Sequence, residues 1–212
     1  MNKCYIFGSM PVSRLCHTID EADLVIAADC GLKNTEALGL KPKFIVGDFD
    51  SLGFVPDGSN IIQHPVMKNE TDTILAVDVG FNEGYRDFVI YGCLGGRLDH
   101  TIASLQTAQY VASKGGTAVL VDNNTYATVI KDSHITFSPE CNGTISVFAY
   151  SDNANGVTER GMLYSLTDET LTTSFPLGVS NEFTGSEATV SVKDGTLSVI
   201  WQTEQGNYII GG

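Results

Sequence analysis

The sequence predicts an α/β chain: a doubly wound, mostly parallel sheet domain over residues 1–133, followed by a small all-β antiparallel sandwich over residues 134–212. Three observations predict it. Up to about Ser133, short and nearly continuous apolar runs alternate with helical patterns, as strands buried on both faces of a parallel sheet do. Beyond Ser133 the period changes to two: Ile145, Val147 and Ala149 alternate with Thr144, Ser146 and Phe148. No helical pattern follows that change, and no long linker or repeat separates the two textures.

Taken in order, the strands of the first domain are expected at Cys4–Phe7, Leu24–Ala28, Phe44–Val46, Phe88–Tyr91 and Ala118–Val121. One helix is expected from about Thr71 to Val79, with Asp72 in its positively polarised first turn. A second runs from Asp99 to Lys114. Ile102, Leu105, Ala108 and Ala112 share one face, and Gly115-Gly116 ends it. In the second domain, Ala188–Lys193 and Thr196–Trp201 flank Asp194-Gly195, a dipeptide suited to a two-residue hairpin. That register sets Val192 opposite Leu197 and Val190 opposite Val199.

The 212 residues carry 25 acids against 12 bases, a formal charge of −13. Residues 1–139 hold 16 acids and 10 bases, and the rest hold 9 and 2, so neither half has the basic stripe of a nucleic-acid binder. Such a chain repels a phosphorylated substrate unless a divalent cation intervenes, and it suits a cationic one. Cys4, Cys16, Cys30, Cys93 and Cys141 are scattered and form no C-x-x-C pair, which argues against a zinc site or a disulfide framework. The first apolar run ends at Gly8, too soon for a signal peptide, and no stretch approaches the roughly 20 apolar residues of a membrane span. The expectation is a cytoplasmic protein with no nucleic-acid or membrane partner.

The densest chemical signal is Val46-Gly47-Asp48-Phe49-Asp50-Ser51, at the C-terminal end of an expected strand, where open α/β sheets bind ligands. If the stretch is extended, Asp48 and Asp50 point the same way, and two hard oxygen ligands suit Mg²⁺; the other reading is an acidic surface turn. Asp29 directly follows another apolar run, Leu24–Ala28, as a site residue or as a helix N-cap. Asp72 sits beside Thr71 with the same two readings. Gly92-Cys93-Leu94-Gly95-Gly96-Arg97-Leu98-Asp99-His100 follows a strand and opens a helix. Gly95 and Gly96 let backbone amides approach an anion, and Arg97 can hold phosphate oxygens. A tight turn capped by Asp99 explains the glycines equally well but leaves Arg97 without a purpose. No P-loop, strict G-x-G-x-x-G, H-E-x-x-H or G-x-S-x-G occurs, and His17, His64, His100 and His134 lack metal-ligand spacing.

Together Ala28-Asp29-Cys30-Gly31, Gly47-Asp48-Phe49-Asp50-Ser51, Lys68-Asn69-Glu70-Thr71-Asp72 and the segment Gly92–His100 resemble the thiamine pyrophosphokinase family, in order and in spacing. Gly178-Val179-Ser180-Asn181 is similar to the Ser-Asn segment near bound thiamine in that family. Two departures stand out: Cys30 replaces a family glycine, and Asn69 replaces a family aspartate. The resemblance implies a nucleotide-binding catalytic domain followed by a thiamine-binding domain. It implies attack by the thiamine hydroxyl on the β-phosphorus of ATP, with AMP leaving. It further implies Mg²⁺ on Asp48, Asp50 and Asp72 with Asp29 assisting, nucleotide contacts from Gly95, Gly96, Arg97 and Asp99, and thiamine contacts from Ser180, Asn181 and Tyr164. A homodimer with thiamine at the subunit interface is implied as well. The alternatives are a pyrophosphokinase for another alcohol, such as a pterin, and a non-catalytic nucleotide-binding protein.

Overall fold

The computed structural model describes residues 2–50, 52–56, 58, 60–63 and 70–211. Ser51, His64, Lys68 and Asn69 lie outside the described residues. The chain divides into two units, Met1–Thr107 with Ala118–Asn123, and Ala108–Thr117 with Asn124–Gly212. In chain order the first elements are β1 (Cys4–Phe7), β2 (Leu24–Ala28), α1 (Gly31–Ala37), β3 (Phe44–Gly47), β4 (Ile61–Gln63), α2 (Asp72–Asn82), β5 (Asp87–Tyr91), α3 (Leu98–Ser113) and β6 (Thr117–Asp122).

Every residue of β1 and β2 is buried, which the apolar runs require and which a strand covered on both faces provides. Each fully buried Ile or Phe there contributes roughly 1.5–3 kcal/mol of transfer free energy. β1 pairs in parallel with β2 on one side and β5 on the other. β2, β3 and β4 continue the parallel set. The spatial order β6-β5-β1-β2-β3-β4 reverses direction at β1. A crevice opens at the C-terminal ends of the strands flanking such a reversal.

The helices correct the sequence reading in detail. α2 begins where expected, capped by Thr71, whose Oγ1 accepts from the Ile74 N–H at 3.3 Å. α3 buries Ser104, Thr107, Ala108 and Val111, while Ile102 is half exposed, so its inward face is turned from the predicted apolar one. Hydrogen bonding explains the difference. Ser104 Oγ lies 2.8 Å from the carbonyls of Cys93 and His100, and Thr107 Oγ1 donates to the Ala103 carbonyl at 2.9 Å. Satisfied hydroxyls bury at little cost. α1 has no counterpart among the expected helices. It is seven residues long and half of its buried positions are polar (Asn34 and Thr35 beside Gly31 and Leu32), so it carries no apolar stripe to read.

The second unit contains β7 (Thr125–Lys131), β8 (His134–Phe137), β9 (Thr144–Ala149), β10 (Asn153–Arg160), β11 (Leu166–Thr172), β12 (Gly178–Glu182), β13 (Ala188–Ser191), β14 (Thr196–Gln202) and β15 (Tyr208–Gly211). They form two antiparallel sets, β12-β9-β14-β7 and β11-β10-β13-β8-β15. Phe137 of one set meets Trp201 of the other edge-on at 5.3 Å, and Tyr126 stacks on Trp201 at 5.3 Å. The predicted hairpin at Asp194-Gly195 is overturned. β13 and β14 belong to different sheets: Val190 lies opposite Glu159 and Ile135, and Val199 opposite Thr128 and Val147. Alternation with period two is the same for strands paired side by side and strands facing across a core, so it cannot choose between them. No described helix is long and apolar enough to cross a membrane.

Candidate active site

Parallel pairing brings the first acids together. Ala28 of β2 is level with Val46 of β3, so the residues that follow each strand emerge at one edge. The Asp29 N–H donates to the Val46 carbonyl at 2.8 Å. A Cβ on Gly47 would lie 3.2 Å from the Asp29 Cα, so the two chain segments touch there. Asp29 itself has φ 46°, a left-handed conformation that Asp tolerates better than most residues. It is no helix cap: the N-cap of α1 is Cys30, with no side-chain cap bond.

Asp48 and Asp50 converge by a different route from the expected pleat. β3 stops at Gly47, and Phe49 takes φ 63°. Phe49 is buried with Ala27, Leu32 and Ile45, and that burial offsets the roughly 1–2 kcal/mol of left-handed strain. With the ring anchored inward, the flanking carboxylates turn outward, and the Asp50 N–H donates to Asp48 Oδ1 at 3.2 Å. Asp29, Asp48 and Asp50 each present an oxygen within 4.8 Å of the others. Asp29 is the buried member, and its Oδ1 has no hydrogen-bond partner among the described residues.

Asp29 also lines a cavity of about 480 Å³ at the strand-order reversal. The loops after β1 and β5 form its floor, held by Gly8 N–H to the Tyr91 carbonyl at 2.8 Å and Met10 N–H to the Gly92 carbonyl at 3.0 Å. Asn34 of α1 fixes the same floor, donating to the carbonyls of Gly8 at 2.7 Å and Met10 at 2.8 Å. Asp72 and Arg97 also line the cavity. Asp72 is thus placed at the cavity, outside the three-carboxylate group found among the described residues. Arg97 is gripped by Asp99 through Nε at 3.2 Å and Nη2 at 2.6 Å. That pair raises the guanidinium pKa and lowers the carboxyl pKa, chiefly through the hydrogen bonds. Gly95 and Gly96 have φ of 76° and 62° and shape the turn before α3; neither lines the cavity.

The cavity also receives Cys30, Glu70, His100, Ser104 and Thr107, none of which the sequence reading assigned to a site. Ser104 and Thr107 were hidden by the wrong face of α3; Glu70 lies within the segment Lys68-Asn69-Glu70-Thr71-Asp72, where only Asp72 was given a role. Burial, then the Asp29 charge, pushes the Cys30 thiol pKa up. Among the described lining residues, Asp29, Glu70 and Asp72 stand with a single guanidinium, a balance that repels a triphosphate. The donor set fits Mg²⁺: hard carboxylate oxygens, a close group of three, and one buried oxygen with no hydrogen-bond partner among the described residues.

The remaining predicted residues lie in the second unit. Ser180 is exposed with φ 59°, at a register shift between β12 and β9, and its N–H donates to Ser146 Oγ at 3.1 Å. Bulges of this kind re-aim side chains. Asn181 is buried, and its amide is fully used within the unit by Glu159, Tyr164 and Glu182. It therefore has no hydrogen-bonding capacity left for a ligand in this structure. The Tyr164 side chain is exposed.

Comparison with known proteins finds two family models along the chain. A model described as thiamin pyrophosphokinase, catalytic domain, matches residues 15–120, and one described as thiamin pyrophosphokinase, vitamin B1 binding domain, matches residues 132–197. The thiamine pyrophosphokinase of Bacillus subtilis (strain 168) is 26% identical over 192 residues, 87% of this chain and 90% of that protein. The crystal structure of the Bacillus subtilis protein superposes with a TM-score of 0.83 at 24% identity, covering 96% of this chain and 100% of that one. Yeast thiamin pyrophosphokinase gives 0.72 at 14% identity, covering 95% and 86%. These two likenesses establish the fold. With both domain models matched in order, and the first alone spanning half of its length, the chain belongs to the thiamin pyrophosphokinase family.

Proposed function

We infer that the chain transfers pyrophosphate from ATP to thiamine, giving thiamine diphosphate and AMP, at the carboxylate-lined cavity of its first unit. One observation carries the siting: Asp29, buried with an unpartnered oxygen, belongs both to the group with Asp48 and Asp50 and to the cavity that holds Asp72 and Arg97. Mg²⁺ held by Asp29, Asp48 and Asp50, with Asp72 at the cavity wall, supplies neutralisation of phosphate charge. In the reaction the thiamine hydroxyl oxygen bonds to the β-phosphorus while the bond from that phosphorus to the α-phosphate oxygen breaks, releasing AMP and giving up the hydroxyl proton to solvent. Transfers of this type need positioning and charge balance more than covalent help. Arg97 supplies the positive charge, exchanging one carboxylate oxygen of Asp99 for a phosphate oxygen. Asn34 keeps the Gly8–Met10 floor shaped for the nucleotide. Ser180 and the Tyr164 ring receive the aminopyrimidine, and the acidic surroundings favour the thiazolium cation. The match to a vitamin B1 binding domain favours thiamine over a pterin.

The test is the product. With ATP, Mg²⁺ and thiamine, AMP and thiamine diphosphate appear in equal amounts, and a chelator stops both. ADP as product, or AMP released equally without thiamine, overturns the assignment. All five cysteines are free, in keeping with a reducing cytoplasm. We further propose, from the family resemblance, a homodimer with thiamine at the interface between copies. Light scattering should then return twice the 22.7 kDa of the chain; a monomer at assay concentration overturns the dimer.

A further inference from the structure

β10 points Val157 and Glu159 into the core of the second unit. Glu159 is 1% exposed. Its Oε1 has no hydrogen-bond partner among the described residues, and its Oε2 accepts from Asn181 Nδ2 at 3.0 Å. A buried carboxyl satisfied on one side only is costly to keep, so what it does for its single partner matters. Asn181 Nδ2 also donates to the Tyr164 carbonyl at 2.7 Å. Asn181 Oδ1 accepts from the backbone N–H groups of Tyr164 and Glu182, each at 3.0 Å. Both amide protons and both lone pairs of Asn181 are occupied.

Glu159 therefore helps to fix which way round the Asn181 amide lies, together with the backbone groups of Tyr164 and Glu182. With Nδ2 toward the carboxyl, every contact pairs a donor with an acceptor. With the amide reversed, its oxygen would face the Glu159 and Tyr164 oxygens and its NH₂ would face two N–H groups. The correct orientation clamps the N–H and the carbonyl of Tyr164 from within, while the Tyr164 side chain stays 66% exposed and the neighbouring Leu163 56%. The result is a fixed backbone presenting an aromatic ring outward, a platform suited to a flat heteroaromatic ligand.

We propose that Glu159 is a positioning residue for the acceptor substrate, holding the Tyr164 turn through Asn181 in the shape that receives the thiamine ring. The proposal rests on the pyrophosphate transfer inferred above. Burial raises the Glu159 carboxyl pKa, against the opposing effect of the Asn181 hydrogen bond. A neutral acid keeps one acceptor oxygen for Asn181, as a glutamine carbonyl also does.

The experiment compares Glu159→Leu and Glu159→Gln in the full chain, by steady-state kinetics in each substrate and by thermal unfolding. Glu159→Leu should raise the KM for thiamine about tenfold while the KM for ATP and kcat stay within about twofold; Glu159→Gln should stay within about twofold on all three. A thiamine KM unmoved in the leucine variant, both KM values rising alike, or glutamine failing to rescue overturns the proposal. If the leucine variant does not fold, Asn181→Ala, which has no side-chain donor for Glu159 or Tyr164, should give the same thiamine-specific rise, and an unmoved KM there overturns it. A wild-type chain that makes no thiamine diphosphate overturns the reaction and this proposal with it. A working wild-type with unmoved variants overturns this proposal alone.

Discussion

Replacing Asp48 or Asp50 with asparagine lowers turnover at least about tenfold in each case, about 1.4 kcal/mol of barrier. The oxygens of these residues and of Asp29 lie within 4.8 Å of one another. Asparagine keeps the size of the side chain, removes one negative charge and offers a weaker oxygen donor, so cation affinity falls first and the charge held against the phosphates falls with it. Neither side chain belongs to the core. Asp50 is exposed and Asp48 half-buried, whereas Phe49 between them holds the turn. Thermal midpoints should therefore stay close to wild type while thiamine-dependent AMP formation drops. More Mg²⁺ should recover part of the loss. Full turnover in both variants removes the cation from these carboxylates.

Gly31→Ala has the largest expected effect on stability. A Cβ at position 31 would lie 1.8 Å from the Phe7 carbonyl oxygen, in the backbone of the buried strand β1. A backbone atom cannot swing aside as a side chain can, so α1 must shift away from β1. Overpacking of this severity costs about 3 kcal/mol, read as a lowered urea midpoint with an unchanged slope. α1 also carries Asn34, so the KM for ATP should rise in the folded fraction. Cys30→Ala is the control. Cys30 has φ −59°, an ordinary helical conformation, and its replacement should change stability by less than about 1 kcal/mol. A Gly31→Ala midpoint equal to wild type shows that α1 is not seated on β1 as described. The same geometry explains the departure from the family pattern. Of the two positions after Asp29, only Gly31 is sterically required, so position 30 is free to carry a thiol.

Much of the site was legible because an apolar run ending in an acid has few meanings in an α/β domain. Asp29 after Ala28, and Asp48 with Asp50 after Gly47, announce a shared edge once the strands are known to run parallel. The failures have one cause: periodicity describes a residue's own element and says nothing of what faces it. It favoured Ile102 over Ser104 on α3, since hydroxyls bury only when particular carbonyls stand nearby. It made a hairpin of Asp194-Gly195, since facing and paired strands alternate alike. It passed over Glu159, whose partner Asn181 lies 22 residues away.

Local chemistry along the chain determined the succession of elements, the acids at strand ends and the glycines where backbones meet, because apolar runs, turn residues and steric limits act within a few residues. The pairing of β13 and β14 with separate sheets, the left-handed turn that joins Asp48 to Asp50, and the amide that clamps Tyr164 were decided only on folding. Each depends on which distant groups arrive to satisfy a hydrogen bond or fill a volume, and that is a property of the packed chain.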